Sequence, residues 1–234
     1  MRPDLADLLD QVPLFRDRRE AGDALAARLK GYRGTDVLVL GLPRGGVLVA
    51  AQVARQLEGE LDVLVARKLG SPMSPELAIG AVTANGGRFL NEDLIRELDV
   101  SGAYVEAVAK EQQAEARRRE VLFRHQRPPP RIAARTVILV DDGLATGATM
   151  RAAVRSVKQW GPARVVVAVP VGSRQACAAL RGEADAVVCL YEPVYFASVG
   201  SWYEDFAQTE DREVEELLNE AVRAAPAAPG ARPC

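Results

Sequence analysis

Val137-Ile138-Leu139-Val140-Asp141-Asp142-Gly143-Leu144-Ala145-Thr146-Gly147-Ala148-Thr149 is the stretch from which the rest of the chain can be read. Four consecutive apolar residues fit a strand buried on both faces. Two adjacent carboxylates leave it at the carboxyl end, and a loop of small and hydroxyl residues then opens a helix. Backbone N–H groups from Thr146 to Thr149, with a helix N-terminus behind them, suit a phosphate dianion. The hydroxyls of Thr146 and Thr149 add donors, and Gly147 lets the backbone come close. Asp141 and Asp142 can accept hydrogen bonds from vicinal hydroxyls. Together these features describe a site for a phosphorylated sugar. Paired aspartates that merely cap the loop would explain less of the segment.

Working outward, short apolar runs alternate with helical periodicity. Strands are expected over 36–40, 62–66, 136–140, 163–170 and 186–190. Helices are expected over 15–30, where Phe15, Ala21, Leu25 and Leu29 recur at helical spacing, and over 46–57, 148–160 and 174–180. This alternation predicts an α/β fold: a five-stranded parallel sheet with helices on both faces. Ligands in such sheets bind beyond the carboxyl ends of the strands. Two stretches break the alternation. Residues 68–90 read as a mobile loop and a small hairpin. Residues 91–124 read as helical, with Asn91 as N-cap and a charged run over 111–119 taken as a solvated helix face. Residues 85–130 are thus expected to form a hairpin and helical insertion in a single domain over 1–223. The Ala/Pro-rich tail, 224–234, is expected to be disordered.

Composition removes several function classes. The 234 residues carry 30 Lys+Arg against 32 Asp+Glu, a net charge of −2, so the basic excess of a charge-driven nucleic-acid binder is missing. No apolar run approaches the ~20 residues of a membrane span, and residues 1–5 are not expected to open a signal peptide. The three cysteines, Cys177, Cys189 and Cys234, form neither a disulfide framework nor a zinc spacing. Cys177 and Cys189 are expected to be small buried residues, and a cytoplasmic setting follows. The single histidine, His125, sits in an Arg/Pro-rich stretch and is expected to be exposed. No residue is assigned to a metal.

The 137–149 stretch resembles the phosphoribosyl pyrophosphate (PRPP) motif of the type I phosphoribosyltransferases, and the resemblance runs from about Phe15 to Leu218. Leu40-Gly41-Leu42-Pro43-Arg44-Gly45-Gly46 is similar to the family's pyrophosphate loop, which implies that the backbone of Arg44 and Gly45 contacts pyrophosphate. Arg67-Lys68-Leu69-Gly70 resembles the start of the family's flexible catalytic loop, implying that Arg67 and Lys68 reach the pyrophosphate. Residues 67–82 and 194–206 are also similar to a bacterial subgroup of predicted phosphoribosyltransferases with no settled substrate.

The resemblance implies transfer of the 5-phosphoribosyl group of PRPP to a nitrogen of a nucleobase-like acceptor, with Mg²⁺ as cofactor and release of pyrophosphate. It assigns Asp141 and Asp142 to the ribose, and Ala145, Thr146, Gly147, Ala148 and Thr149 to the 5-phosphate. Ala145 stands where the 6-oxopurine enzymes carry an aspartate, which argues against hypoxanthine and guanine and leaves adenine and orotate types open. Glu76 matches a loop glutamate of the adenine enzymes and reads equally well as an exposed acid. Phe196, Trp202 and Tyr203 could stack on the acceptor or simply anchor a loop. The helical insertion is open between a lid, a hood and a dimer surface, and a homodimer is expected by resemblance. The competing function is a non-catalytic PRPP- or nucleotide-sensing regulator on the same fold, which the catalytic-type loop disfavours.

Overall fold

The computed structural model describes residues 13–125 and 127–224. The expectations for residues 1–5, for Cys234 and for all but the first residue of the tail lie outside them. In chain order the elements are α1 (Arg18–Leu29), β1 (Val37–Gly41), α2 (Gly45–Leu57), β2 (Glu60–Val63), β3 (Ala66–Gly70), β4 (Ala78–Thr83) and β5 (Arg88–Leu90). Then follow α3 (Glu92–Glu97), α4 (Gly102–Phe123), β6 (Thr136–Val140), α5 (Ala148–Lys158), β7 (Arg164–Val171), α6 (Arg174–Arg181), β8 (Ala186–Tyr191) and α7 (Asp211–Ala224).

The expected five-stranded parallel sheet is present, in the order β2-β1-β6-β7-β8. Alternation along each strand divides its side chains between two cores. Val37, Val39, Ile138 and Val140 pack with Leu25 and Leu29 of α1, Val49 and Val53 of α2, and Leu218 of α7. Leu38, Leu40, Val137 and Leu139 pack with Met150 and Val154 of α5 and Leu180 of α6. Burial on both faces explains why the central strands read as unbroken apolar runs. From β1 the chain steps outward to β2, and from β6 it steps the opposite way to β7 and β8. The topological switch therefore falls between β1 and β6, where open α/β sheets bind ligands. No helix of the described residues is long and apolar enough to cross a membrane.

Several boundaries differ from the sequence reading. The first helix starts at Arg18, because Asp17 caps it by accepting from the amides of Arg19 (2.9 Å) and Glu20 (2.8 Å). Phe15 instead bridges to Tyr203 and packs on its ring. The strand expected over 62–66 is β2, Glu60–Val63, because its partner β1 ends at Gly41, opposite Val63. The loop and small hairpin expected over 68–90 are a three-stranded antiparallel sheet, β3-β4-β5, that begins at Ala66. Arg67 and Lys68 thus lie on a strand. The sheet packs Leu69, Ile79 and Val82 against Val105 and Ala109 of α4, and Ala81 against Ala148 and Ala152 of α5. The helical stretch 91–124 is two helices, capped by Asn91 and Ser101. Beyond α4, Arg124 donates to Asp62 of β2 (2.9 Å), to Glu120 (2.8 Å) and to the Val63 carbonyl (2.7 Å). Glu120 also accepts from the Val65 amide (3.0 Å), so the end of α4 is pinned to the sheet edge.

Candidate functional site

The site is assembled where β1 and β6 end. Their register sets Gly41 level with Val140, and the Leu42 amide donates to the Val140 carbonyl (2.9 Å). The loops 42–45 and 141–149 therefore leave the sheet side by side. The Pro43–Arg44 peptide is cis, and Arg44 precedes the first turn of α2. The contact between the loops leaves no room for a side chain at Gly45 or Gly46. A Cβ on Gly45 would lie 2.0 Å from Asp142 Oδ2, and one on Gly46 would lie 2.8 Å from Asp141 Oδ1. Arg44 lies 3.7 Å from Asp211 with its side chain partly exposed.

The two acids are held differently. Asp141 Oδ1 accepts from the Asp142 amide (2.9 Å). Asp142 Oδ2 accepts from Arg18 Nε of α1 (2.8 Å), and the Asp142 carbonyl accepts from the Tyr203 hydroxyl (2.6 Å). Burial and the neighbouring charge of Asp142 push the Asp141 carboxyl well above the usual carboxylate range. Burial also pushes Asp142 up, opposed by its hydrogen bond to Arg18. Burial, then the charge of Asp142, raises the Tyr203 hydroxyl, so it remains a donor. Arg18 also donates to the Ala207 carbonyl (2.8 Å) and lies over the Phe206 ring at 3.8 Å.

The 143–149 loop hangs from the end of β7. The Leu144 amide donates to the Val171 carbonyl (2.9 Å), the Ser173 amide to the Leu144 carbonyl (2.8 Å), and Ser173 Oγ to the Ala145 carbonyl (2.6 Å). Ala145 and Thr146 are exposed and Thr149 is half-buried. Gly147 takes a left-handed conformation (φ 74°) as N-cap of α5, a role glycine fills without steric cost. Thr146 Oγ1 accepts from the Ala148 amide (3.4 Å).

The remaining expected residues are spread more widely. Arg67 Nε donates to Gln112 of α4 (2.8 Å), and Lys68 is exposed. Lys68 is paired with Ala81, which packs on Ala148, so the second sheet borders the loop at the start of α5. Glu76 is exposed in the β3–β4 turn, where the Ser71 amide donates to the Leu77 carbonyl (2.9 Å) and Ser71 Oγ to the Ser74 carbonyl (3.0 Å). Trp202 and Tyr203 are buried with Phe15 and Val171, and Phe196 packs at the edge of that cluster. Trp202 lies 5.2 Å from the Tyr191 ring.

Thus Asp141, Asp142, Arg44, Gly45 and the 145–149 loop are brought together, while Arg67, Lys68 and Glu76 lie on a neighbouring layer. The sequence reading missed Arg18. It occupies the same helix stripe as Ala21, Leu25 and Leu29, and a charge on an apolar stripe is a signal for a buried partner.

A family model for the phosphoribosyl transferase domain matches residues 82–205. A Mycobacterium tuberculosis (strain H37Rv) protein named "Putative phosphoribosyl transferase" is 47% identical over 212 residues, 91% of this chain and 48% of that protein. The chain spans about half the length of that relative and of its counterpart in a second strain. An adenine phosphoribosyltransferase of Mycobacterium marinum is 30% identical over 74% of this chain and 77% of its own. The crystal structure of TT1426 from Thermus thermophilus superposes with a TM-score of 0.75 at 48% identity, covering 88% of this chain and 98% of that one.

Proposed function

The chain belongs to the phosphoribosyl transferase family, and on that premise we propose that it moves the 5-phosphoribosyl group of PRPP to a ring nitrogen of a nucleobase-like acceptor. The bond from C1 to pyrophosphate breaks, a bond from C1 to nitrogen forms, and the acceptor gives up its N–H proton. The observation that carries this reading is the contact of Gly45 with Asp142 at the switch point. It sets a candidate pyrophosphate loop against a candidate ribose site, with the 5-phosphate loop on the other side of the acids.

In this reading Asp141 and Asp142 accept from the ribose hydroxyls, and their charge favours the oxocarbenium-like ring. The amides of 145–149 and the N-terminus of α5 hold the 5-phosphate. The backbone of Arg44 and Gly45 faces the pyrophosphate, and Arg67 and Lys68 approach from the second sheet. The site also suits Mg²⁺. Arg18 pairs with Asp142, and the oxygens that the two aspartate side chains offer are the hard donors this cation takes. Asp141 and Asp142 would be the residues of this chain that help to hold the ion. When bound it neutralises charge developing on the pyrophosphate.

Ala145, with no carboxylate to meet a 6-oxopurine, and the 30% identical adenine phosphoribosyltransferase both put adenine first among acceptors to try. Pyrophosphate release from PRPP and Mg²⁺ across a panel of nucleobases, with a no-base control, tests the proposal. Base-dependent release is expected. PRPP binding with no release for any base would replace this reading with the PRPP-sensing one. Glu76→Gln is expected to lower turnover and spare PRPP affinity; an unchanged rate would make Glu76 an exposed turn acid and nothing more.

A further inference from the structure

Behind the 143–149 loop, on the far side of Gly172, the fold gathers three side chains that sequence spacing does not connect. Cys177 lies buried on α6, Cys189 is half-buried on β8, and Glu192 directly follows β8. Their ligand atoms all lie within 4.8 Å of one another. Donors around one tetrahedral zinc, with Zn–S near 2.3 Å and Zn–O near 2.0 Å, are separated by about 3.5–3.8 Å. Side-chain adjustments of about 1 Å would therefore bring all three onto a single ion. We propose that Cys177, Cys189 and Glu192 form a binding site for a thiophilic divalent cation, with Zn²⁺ as the natural occupant.

The donor chemistry and the surroundings agree. Two sulfurs select a soft or borderline metal over Mg²⁺. Arg181 holds both oxygens of Glu192 and fixes the carboxylate beside the sulfurs, leaving each oxygen further lone pairs. Cys189 Sγ already points at a polar atom, the Tyr191 carbonyl, at 3.2 Å. Binding exchanges the two thiol protons, released to solvent, for two metal–sulfur bonds. Glu192 and Cys189 lie at the surface side of the cluster, so the fourth position is open to water, as in a three-ligand site. The spacing Cys-x₁₁-Cys-x₂-Glu escapes any linear zinc pattern because its members lie on a helix, on a strand and after that strand.

The site would also brace the loop in front of it. A Cβ on Gly172 would lie 2.7 Å from Cys177 Sγ, 3.4 Å from Cys189 Sγ and 3.3 Å from the Leu144 Cβ. Ser173, the cap of the helix that carries Cys177, donates to the Ala145 carbonyl. Bracing of a phosphate loop rests on the function proposed above; cation binding does not.

Cobalt titration of the full, reduced, metal-free chain is the test, because it reads metal–sulfur bonds and needs neither PRPP nor an acceptor. One equivalent is expected to bind, with a sulfur-to-cobalt charge-transfer band that added zinc abolishes. Cys177→Ser and Cys189→Ser should each lose the band, Glu192→Gln should weaken binding at least tenfold, and Cys234→Ser should change nothing. If Cys177→Ser fails to fold, as judged by circular dichroism, Cys189→Ser and Glu192→Gln decide. No band in the reduced wild-type chain, survival of the band in Cys189→Ser, or its loss in Cys234→Ser would overturn the proposal.

Discussion

Asp142 shows how one side chain can serve both the fold and the site. Its carboxylate takes a hydrogen bond from Arg18, its carbonyl takes one from Tyr203, and its Oδ2 lies against Gly45. Asparagine at this position keeps an acceptor for Arg18 but lacks the charge. A hydrogen bond to a charged group contributes about 1.5–3 kcal/mol, so Asp142→Asn should weaken PRPP binding about ten- to hundredfold without unfolding the chain. Calorimetric titration with PRPP checks this, and unchanged affinity would remove Asp142 from the site. Asp141 makes a different prediction. Its raised pKa means that the folded chain binds that proton more tightly than the unfolded chain. Its contribution to stability is therefore lost as pH rises from the ordinary carboxylate range through the folded pKa. Asp141→Asn keeps the acceptor for the Asp142 amide and removes the buried charge. It should melt a few degrees higher near neutral pH, the scale of a ~1 kcal/mol change for a chain of this length, and the gain should fade at acid pH. A melting-temperature series against pH reads both effects.

Strands and loops position these residues with little slack. The β1–β6 register brings Gly41 level with Val140, and every later contact between the two loops follows from that alignment. Gly45→Ala would place a Cβ 2.0 Å from Asp142 Oδ2, well inside van der Waals contact. Forced overpacking costs about 1–3 kcal/mol, so PRPP affinity should fall tenfold or more while circular dichroism stays native. The elements were unequally legible in the sequence. The buried parallel strands were plain, because a short apolar run without alternation is what burial on both faces requires. The segment 66–90 was not. Arg67 and Lys68 look like loop residues, and their strand exists because β4 pairs with β3 while α4 and α5 cover the sheet. Within the first helix, Asp17 was the overlooked boundary, since Phe15 fitted the helical period while its contacts lie with Tyr203.

At the scale of the molecule, two sheets share helix α5. One face of that helix carries Met150 and Val154 into the parallel-sheet core, and Ala152 meets the antiparallel sheet. A second tie is the Arg124 guanidinium, almost buried between Asp62 and Glu120. Removing one partner of a buried ion pair costs about 3–5 kcal/mol, because the remaining charges lose their compensation. Arg124→Ala should therefore shift the urea midpoint strongly downward. A loss below about 1 kcal/mol, the range of an exposed pair, would mean that α4 is held by its apolar contacts alone.

Read locally, the chain already carried the strand-and-helix alternation, the acids at the end of β6 and the small, hydroxyl-rich loop behind them. Each is a local matter: burial on both faces selects apolar runs, and a helix N-terminus needs small and hydroxyl residues beside an anion. What meets across the chain followed from the folded arrangement. Arg18 reaches Asp142 from 124 residues away, and Gly45 abuts the same carboxylate. Cys177 and Cys189 converge from a helix and a strand onto Glu192. Such pairings depend on strand order and register, which are fixed by the cooperative packing of the whole sheet and leave little trace in the local pattern of any one segment.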